Sequence, residues 1–167
     1  MNQSFNVVVN SNLSTPETTL NPNQNKNYYI DWSSILPQGE YELTFSFMSE
    51  VNTISTFQYL PLIYVDFLSQ ADINSCQASY QATSSNFLGL VYPTNLDPNA
   101  HLSYLRADKS FNQPIYLANR PYLNNFNIRI LNNQANPSNW VDDTSPVPLD
   151  LSSYVLVFHF RLLKKAV

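Results

Sequence analysis

The feature that most constrains the fold is a two-residue alternation. In 40–50, Tyr41, Leu43, Phe45 and Phe47 alternate with Glu42, Thr44 and Ser46. Successive side chains of an extended chain leave opposite faces, so this segment reads as a strand with one dry face and one wet face. The same period returns in Phe126, Ile128 and Ile130 around Asn127 and Arg129, and in Phe5, Val7 and Val9 around Asn6 and Val8. It returns again in Ile63, Val65 and Phe67 around Tyr64 and Asp66. Segments 27–32, 87–92, 102–106 and 114–117 carry weaker versions. Near the end of the chain, Tyr154, Leu156, Phe158, Phe160 and Leu162 share one face, and Val155, Val157, His159 and Arg161 the other. About eight or nine strands are predicted.

Helix signals are sparse. No dozen-residue window keeps apolar positions at three- and four-residue spacing, and eleven prolines interrupt the candidates. Helix is expected only as a single turn, at 31–36 or at 150–154. There are two glycines, Gly39 and Gly89. Pro37-Gln38-Gly39 reads as a turn, with proline presetting φ and glycine free to take positive φ. The other connections are long, at 10–26, 69–86 and 132–149, and loops of that length in a compact domain usually make contacts or carry function. Strands that alternate cleanly and are joined by long crossings predict an all-β, antiparallel Greek-key sandwich. The expected form is a single jelly roll of about eight strands with long loops, in one domain over 1–167, with 10–27 as an extended arm or loop. An immunoglobulin-type sandwich is the alternative, although it has seven strands and shorter loops.

Composition narrows the function. Charged residues are 12% of the chain, and 22 asparagines supply much of the polarity. Amides donate and accept together, which suits wet contacts with several neighbours better than charge-steered encounters. A net charge of −4 argues against nucleic acid, whose phosphates demand a basic surface. A single cysteine, Cys76, excludes an internal disulfide framework and a cysteine-built zinc site. The start, MNQSFNVVVNSN, has neither the basic nor the apolar region of a signal peptide. The apolar run within SYVLVFHFRLLKKAV is broken by His159 and Arg161 and falls short of the roughly twenty residues that span a bilayer as helix. No membrane span is expected.

Catalytic and metal chemistry find little support. His101, near Asp97, has no second histidine at strand or helix spacing, and His159 has no nucleophile elbow to serve. Two glycines cannot build a phosphate-cradling loop. Glu40 and Glu42 on one strand face, with Asp66 on another, are the carboxylates a glycosidase would need to bring together, and the plainer reading puts them on solvent faces. Asp142-Asp143 is far short of a calcium ligand set. No catalytic residue, cofactor or metal is predicted. A carbohydrate-binding or receptor-binding module is the alternative function, with Trp32, Trp140 or the tyrosines as sugar platforms, although aromatics on alternating positions more often belong to a core.

Two blocks resemble a known family. YYIDWSSILPQGEYELTFSF (28–47) precedes NRPYLNNFNIRILNN (119–133), which leads to LDLSSYVLVFHFRL (149–162). The matching residues are Trp32, Pro37, Gly39 and Tyr41, then Phe126, Ile128 and Ile130, then Tyr154, Leu156, Phe158 and Phe160. This order resembles the small single-jelly-roll minor capsid proteins of large icosahedral double-stranded DNA viruses of algae and protists. The resemblance covers about half the chain and leaves 69–108 unmatched. It implies a structural protein of the virion, a minor capsid or cement component between capsomers, assembled in host-cell cytoplasm. Its implied partners are the major capsid protein and other capsid proteins, with trimers or pentamers of its own chain. It carries over no catalytic residues, only strand residues that pack.

Overall fold

The structure, a computed structural model, describes residues 3–13, 15–16, 25–51, 61–68, 87–94, 103–107, 112–132 and 151–166. The first strands are β1 (Ser4–Asn10), β2 (Thr15–Pro16), β3 (Asn25–Tyr29) and β4 (Gly39–Val51). They are followed by β5 (Pro61–Val65), β6 (Phe87–Leu90), β7 (Tyr92–Thr94) and β8 (Ser103–Ala107). The last are β9 (Ile115–Leu117), β10 (Asn125–Asn132) and β11 (Leu151–Lys165). One helical turn, α1 (Trp32–Ile35), precedes β4, and a 3-10 turn occupies Ser11–Leu13.

All pairings between these strands are antiparallel, and they form two sheets. The first runs β1-β11-β4-β8-β7, with β9 also against β4. The second runs β2-β3-β10-β5-β6. β8 and β9 share one edge of β4, at 47–51 and 41–43 respectively. The chain is therefore an all-β sandwich. Long-range pairing dominates it, since β1 joins β11 with Val7 opposite Phe158 and Val9 opposite Leu156.

The alternation read from the sequence becomes the division between core and surface. Tyr41, Leu43, Phe45 and Phe47 of β4 face Leu156, Phe158, Phe160 and Leu162 of β11 across the ladder, and all are buried. From the other sheet, Phe126, Ile128, Ile130, Ile63 and Val65 close the core. Trp32 joins the two layers. Its ring centroid lies 5.1 Å from Phe67, 5.7 Å from Phe126 and 5.6 Å from Phe160. The contacts with Phe67 and Phe160 are edge-to-face, which adds to simple burial because the positive ring edge meets a negative face. A second link between layers is polar: the Tyr28 hydroxyl donates to the Tyr154 hydroxyl at 2.9 Å, and both rings are buried. Burial, followed by Tyr28, holds the Tyr154 phenol protonated far above its ordinary range.

The helical turn forms as expected. Asp31 caps it, accepting from the Ser33 amide at 3.1 Å and the Ser33 hydroxyl at 2.6 Å. Those bonds, the hydroxyl's first, pull its carboxyl below the usual range. The other expected position for a turn, 150–154, is instead the start of β11, because 151–153 pair with β4 through a register shift. A local turn loses to a partner strand already in place.

The expectations for three other stretches need correction. Segment 87–92 is not one strand: β6 belongs to the second sheet and β7 to the first, with buried Val91 at the crossing. Asn112 supports the crossing, its side-chain amide accepting from the Leu90 amide at 2.8 Å and donating to the Leu90 carbonyl at 3.0 Å. Tyr64 lies on the face away from the core yet is only 3% exposed. Phe87 tilts against it and the Arg129 guanidinium lies 6.0 Å from its ring centre. Phe67 follows β5 in a turn rather than extending it. Finally, Gly39 is required by space and not by positive φ, since a Cβ there would strike the Lys164 carbonyl oxygen and the Leu162 side chain.

Within 10–27, the described parts fold onto the body. Ser11 is buried and its Oγ accepts from the Tyr154 amide at 2.9 Å, while buried Lys26 donates to the Ser11 carbonyl. Burial lowers the Lys26 pKa. Thr15 and Pro16 pair with Asn27 and Lys26.

Candidate functional site

Two surfaces of the sandwich have enough definition to support a role: the outer face of β1, β11 and β4, and a cleft at one end.

The outer face is graded along the strands because the residues between the core positions change in character. At one end Val155 pairs with Asn10 and Met48, and Val8 with Val157. Val8 is 64% exposed, Met48 54% and Val155 38%, so these neighbours form an apolar patch open to solvent. Next comes a neutral belt centred on His159. Its Nδ1 lies 2.8 Å from the Asn6 Oδ1, and its Nε2 lies 2.8 Å from the Ser46 Oγ. A carbonyl oxygen only accepts, so Nδ1 is the donor to Asn6, and in the tautomer protonated there Nε2 accepts a hydrogen bond from the Ser46 hydroxyl. One side chain thus ties three strands.

Beyond the belt lie charges. Arg161 donates to Glu42 at 2.7 Å, the Tyr116 hydroxyl donates to Glu40 at 2.8 Å, and Lys164 stands 3.9 Å from Glu40. The bond to Glu40 pushes the Tyr116 phenol upward. His159 and Arg161 share a face, as the sequence predicts.

The expected carboxylates do not converge. Glu40 and Glu42 are engaged on the first sheet, whereas Asp66 sits after β5 in the second, where its Oδ2 accepts from the Asn127 amide and its Oδ1 meets Arg129 at 3.5 Å. Among the described residues no group of three histidine, cysteine or acidic side chains is placed to hold a metal ion. Trp32 is 1% exposed, and its indole N–H donates to the Leu123 carbonyl. It is a core residue and offers no face to a sugar. His101, Cys76, Asp97, Trp140, Asp142 and Asp143 lie outside the described residues. Among the described residues no helix is long and apolar enough to cross a membrane.

The end cleft was not legible in the sequence. It has a volume of about 430 Å³ and lies between α1 and the segment joining β9 to β10. Its walls include Gln38, Asn119, Arg120, Tyr122 and Asn124. Arg120 is fixed by donating to the Leu36 carbonyl at 2.9 Å, and Asn124 by accepting from the Ile30 amide through its backbone. Tyr122 projects with 77% of its surface exposed. A second hollow of about 200 Å³ adjoins it through Asn119 and contains Glu40, Lys164 and Lys165. The only sequence signal is Asn119-Arg-Pro-Tyr122, a stretch without alternation between two short alternating strands.

Comparison of the chain with protein-family models, curated proteins and solved structures finds no match.

Proposed function

We propose that the chain is a structural module, a single jelly roll serving as a minor component of a viral capsid between larger capsomers. The observation that carries this reading is the strand order. The first strand pairs with the last, and β1-β11-β4 with β8 and β9 lies over β3-β10-β5-β6. This order supports the jelly-roll reading, in which one long hairpin is folded twice across itself, a path common among capsid domains. Trp32, Phe126 and Phe158 are buried in the core and Gly39 packs closely against β11, which supports this reading.

Fold order by itself does not assign function. The outer face adds a physical argument. An exposed apolar patch bordered by neutral hydrogen-bonding groups is suited to contact with another protein. The patch formed by Val8, Met48 and Val155 is the surface we assign to a neighbouring capsid subunit.

The test is the assembly state of the purified chain, by light scattering after size exclusion and by co-sedimentation with capsid shells. Trimers, pentamers or shell-bound protein are expected, and Met48→Glu, at an exposed site, is expected to abolish the association while leaving the circular dichroism spectrum unchanged. A chain that stays monomeric at high concentration and never co-sediments with shells would overturn the proposal.

A further inference from the structure

Of the two adjoining hollows at the end of the sandwich, the larger has a chemistry that neither the core nor the outer face requires, and the smaller shares Glu40 and Lys164 with the charged end of that face. The larger hollow falls within the roughly 300–1,000 Å³ typical of small-molecule sites. Among the described residues its lining contains no carboxylate. Instead it is lined by the amides of Gln38, Asn119 and Asn124, the last accepting from the Trp32 amide at 3.4 Å, and by the Arg120 guanidinium, one N–H of which is held by the Leu36 carbonyl. Amides both donate and accept, as the hydroxyls of a sugar do, so a few of them can satisfy a ring from several directions.

Tyr122 supplies the complementary part. An aromatic ring that is 77% exposed contributes nothing to the core, and its flat apolar surface matches the C–H face of a pyranose. Rigid aromatics with few rotatable bonds lose little entropy on binding. The supporting frame is ordered independently of any ligand. Trp32 bonds to the Leu123 carbonyl, Ile30 to the Asn124 carbonyl and Arg120 to the Leu36 carbonyl. The walls on either side of Tyr122 are thereby tied to α1 and to the end of β3.

The smaller hollow adds charge. Lys164 and Lys165 stand there beside one carboxylate, Glu40, which already accepts from the Tyr116 hydroxyl. With Arg120, three of the chain's eight basic residues are gathered around Asn119, in a protein of net charge −4. A local positive end on an acidic body attracts an anionic group and repels little of its own surface.

We infer that these hollows form one site for an acidic glycan, with a sugar ring lying on Tyr122 among the amides and a carboxylate or sulfate group toward Lys164 and Lys165. The site is independent of the capsid reading, since it draws on neither the apolar patch nor the strand order.

The test is titration of the full chain with three sets of oligosaccharides: neutral, carboxylated (sialylated or uronic-acid) and sulfated, followed by NMR or by surface plasmon resonance. Acidic glycans are expected to bind at least tenfold more tightly than neutral ones, and the carboxylated and sulfated sets tell which anion is preferred. Tyr122→Ala is expected to weaken all binding at least tenfold. Lys164→Ala with Lys165→Ala is expected to reduce the acidic preference to under twofold while neutral binding persists. All three positions are exposed, and an unchanged melting temperature separates loss of binding from loss of fold. Met48→Glu is expected to bind as the parent chain does, which separates this site from assembly. Failure of all three sets to bind would overturn the inference, as would binding of neutral glycans alone. Binding that survives Tyr122→Ala and is matched by inorganic polyphosphate would also overturn it, leaving a non-specific cationic surface.

Discussion

The inner and outer faces of β4 and β11 use the same backbone, the same ladder and alternate residues of the same two segments, yet they are built on different terms. Inside, Phe158 touches Phe67 and Phe160, Phe160 touches Trp32 and Tyr41, and Trp32 touches Phe126. Each ring is held by several others, so none can change without a cavity or a clash. Outside, the contacts are separable pairs: Arg161 with Glu42, Tyr116 with Glu40, and His159 between Asn6 and Ser46. The inner face specifies one structure. The outer face, whose contacts are separate pairs, is expected to tolerate substitution better than the inner one.

That contrast can be broken by stability measurements. Phe158→Ala is expected to cost about 3–5 kcal/mol through lost burial and an unfilled cavity, read by urea denaturation, and a loss under about 1 kcal/mol would contradict an interlocked core. Trp32→Ala should fall in the same range, because it also leaves the Leu123 carbonyl without its indole donor. Tyr154→Phe is smaller, about 1–3 kcal/mol, since it removes the acceptor of the buried Tyr28 hydroxyl.

Tyr154 also sharpens the comparison through pH. The unfolded chain releases this phenol proton near the ordinary value of 10.0, whereas the folded chain keeps it well above that. Above pH 10 the unfolded state therefore binds fewer protons. Native stability from this group is complete below pH 10 and is lost as pH rises further. Melting temperatures from pH 8 to 11 should fall less steeply in Tyr154→Phe than in the parent chain, and parallel curves would contradict the assignment.

The outer face should respond least. Ser46→Ala, which removes the bond to the His159 Nε2, is expected to cost about 0.5–1.5 kcal/mol. Arg161→Ala is expected to cost less than about 1 kcal/mol, and its effect should shrink further in high salt, because the Glu42 pair is solvent-exposed.

How much of this was legible follows from what alternation encodes. It reports which residues share a face, and so Tyr41 to Phe47, Phe126 to Ile130 and Tyr154 to Leu162 could be assigned to the core correctly. It does not report which sheet a strand joins. The passage from β6 to β7 through Val91 is extended on both sides, so the change of sheet leaves no mark in the residue pattern. Alternation also cannot show cover supplied from a neighbouring strand, such as that given to Tyr64 by Phe87 and Arg129. The capping pattern of Asp31 and Ser33 is local and was readable, whereas the need for glycine at 39 arises from Lys164, 125 positions away. The end cleft was hidden for a related reason: 118–124 has no period, and its shape comes from bonds to α1 that no spacing announces.

The closure between β1 and β11 has a temporal side. Val7 and Val9 find their partners Phe158 and Leu156 roughly 150 residues later in the chain. At a synthesis rate of about 5–20 residues per second, β1 waits on the order of ten seconds or more before its neighbour exists. During that time it is an apolar strand with unpaired amides and carbonyls, the kind of edge that invites pairing with other chains. Contacts so distant in sequence also slow folding, because the entropy of closing the loop is lost before the pairing compensates for it. Ser4 and Asn6 flank Phe5 and Asn10 follows Val9, so the run Val7 to Val9 is the part of β1 with the most to gain from the arrival of β11.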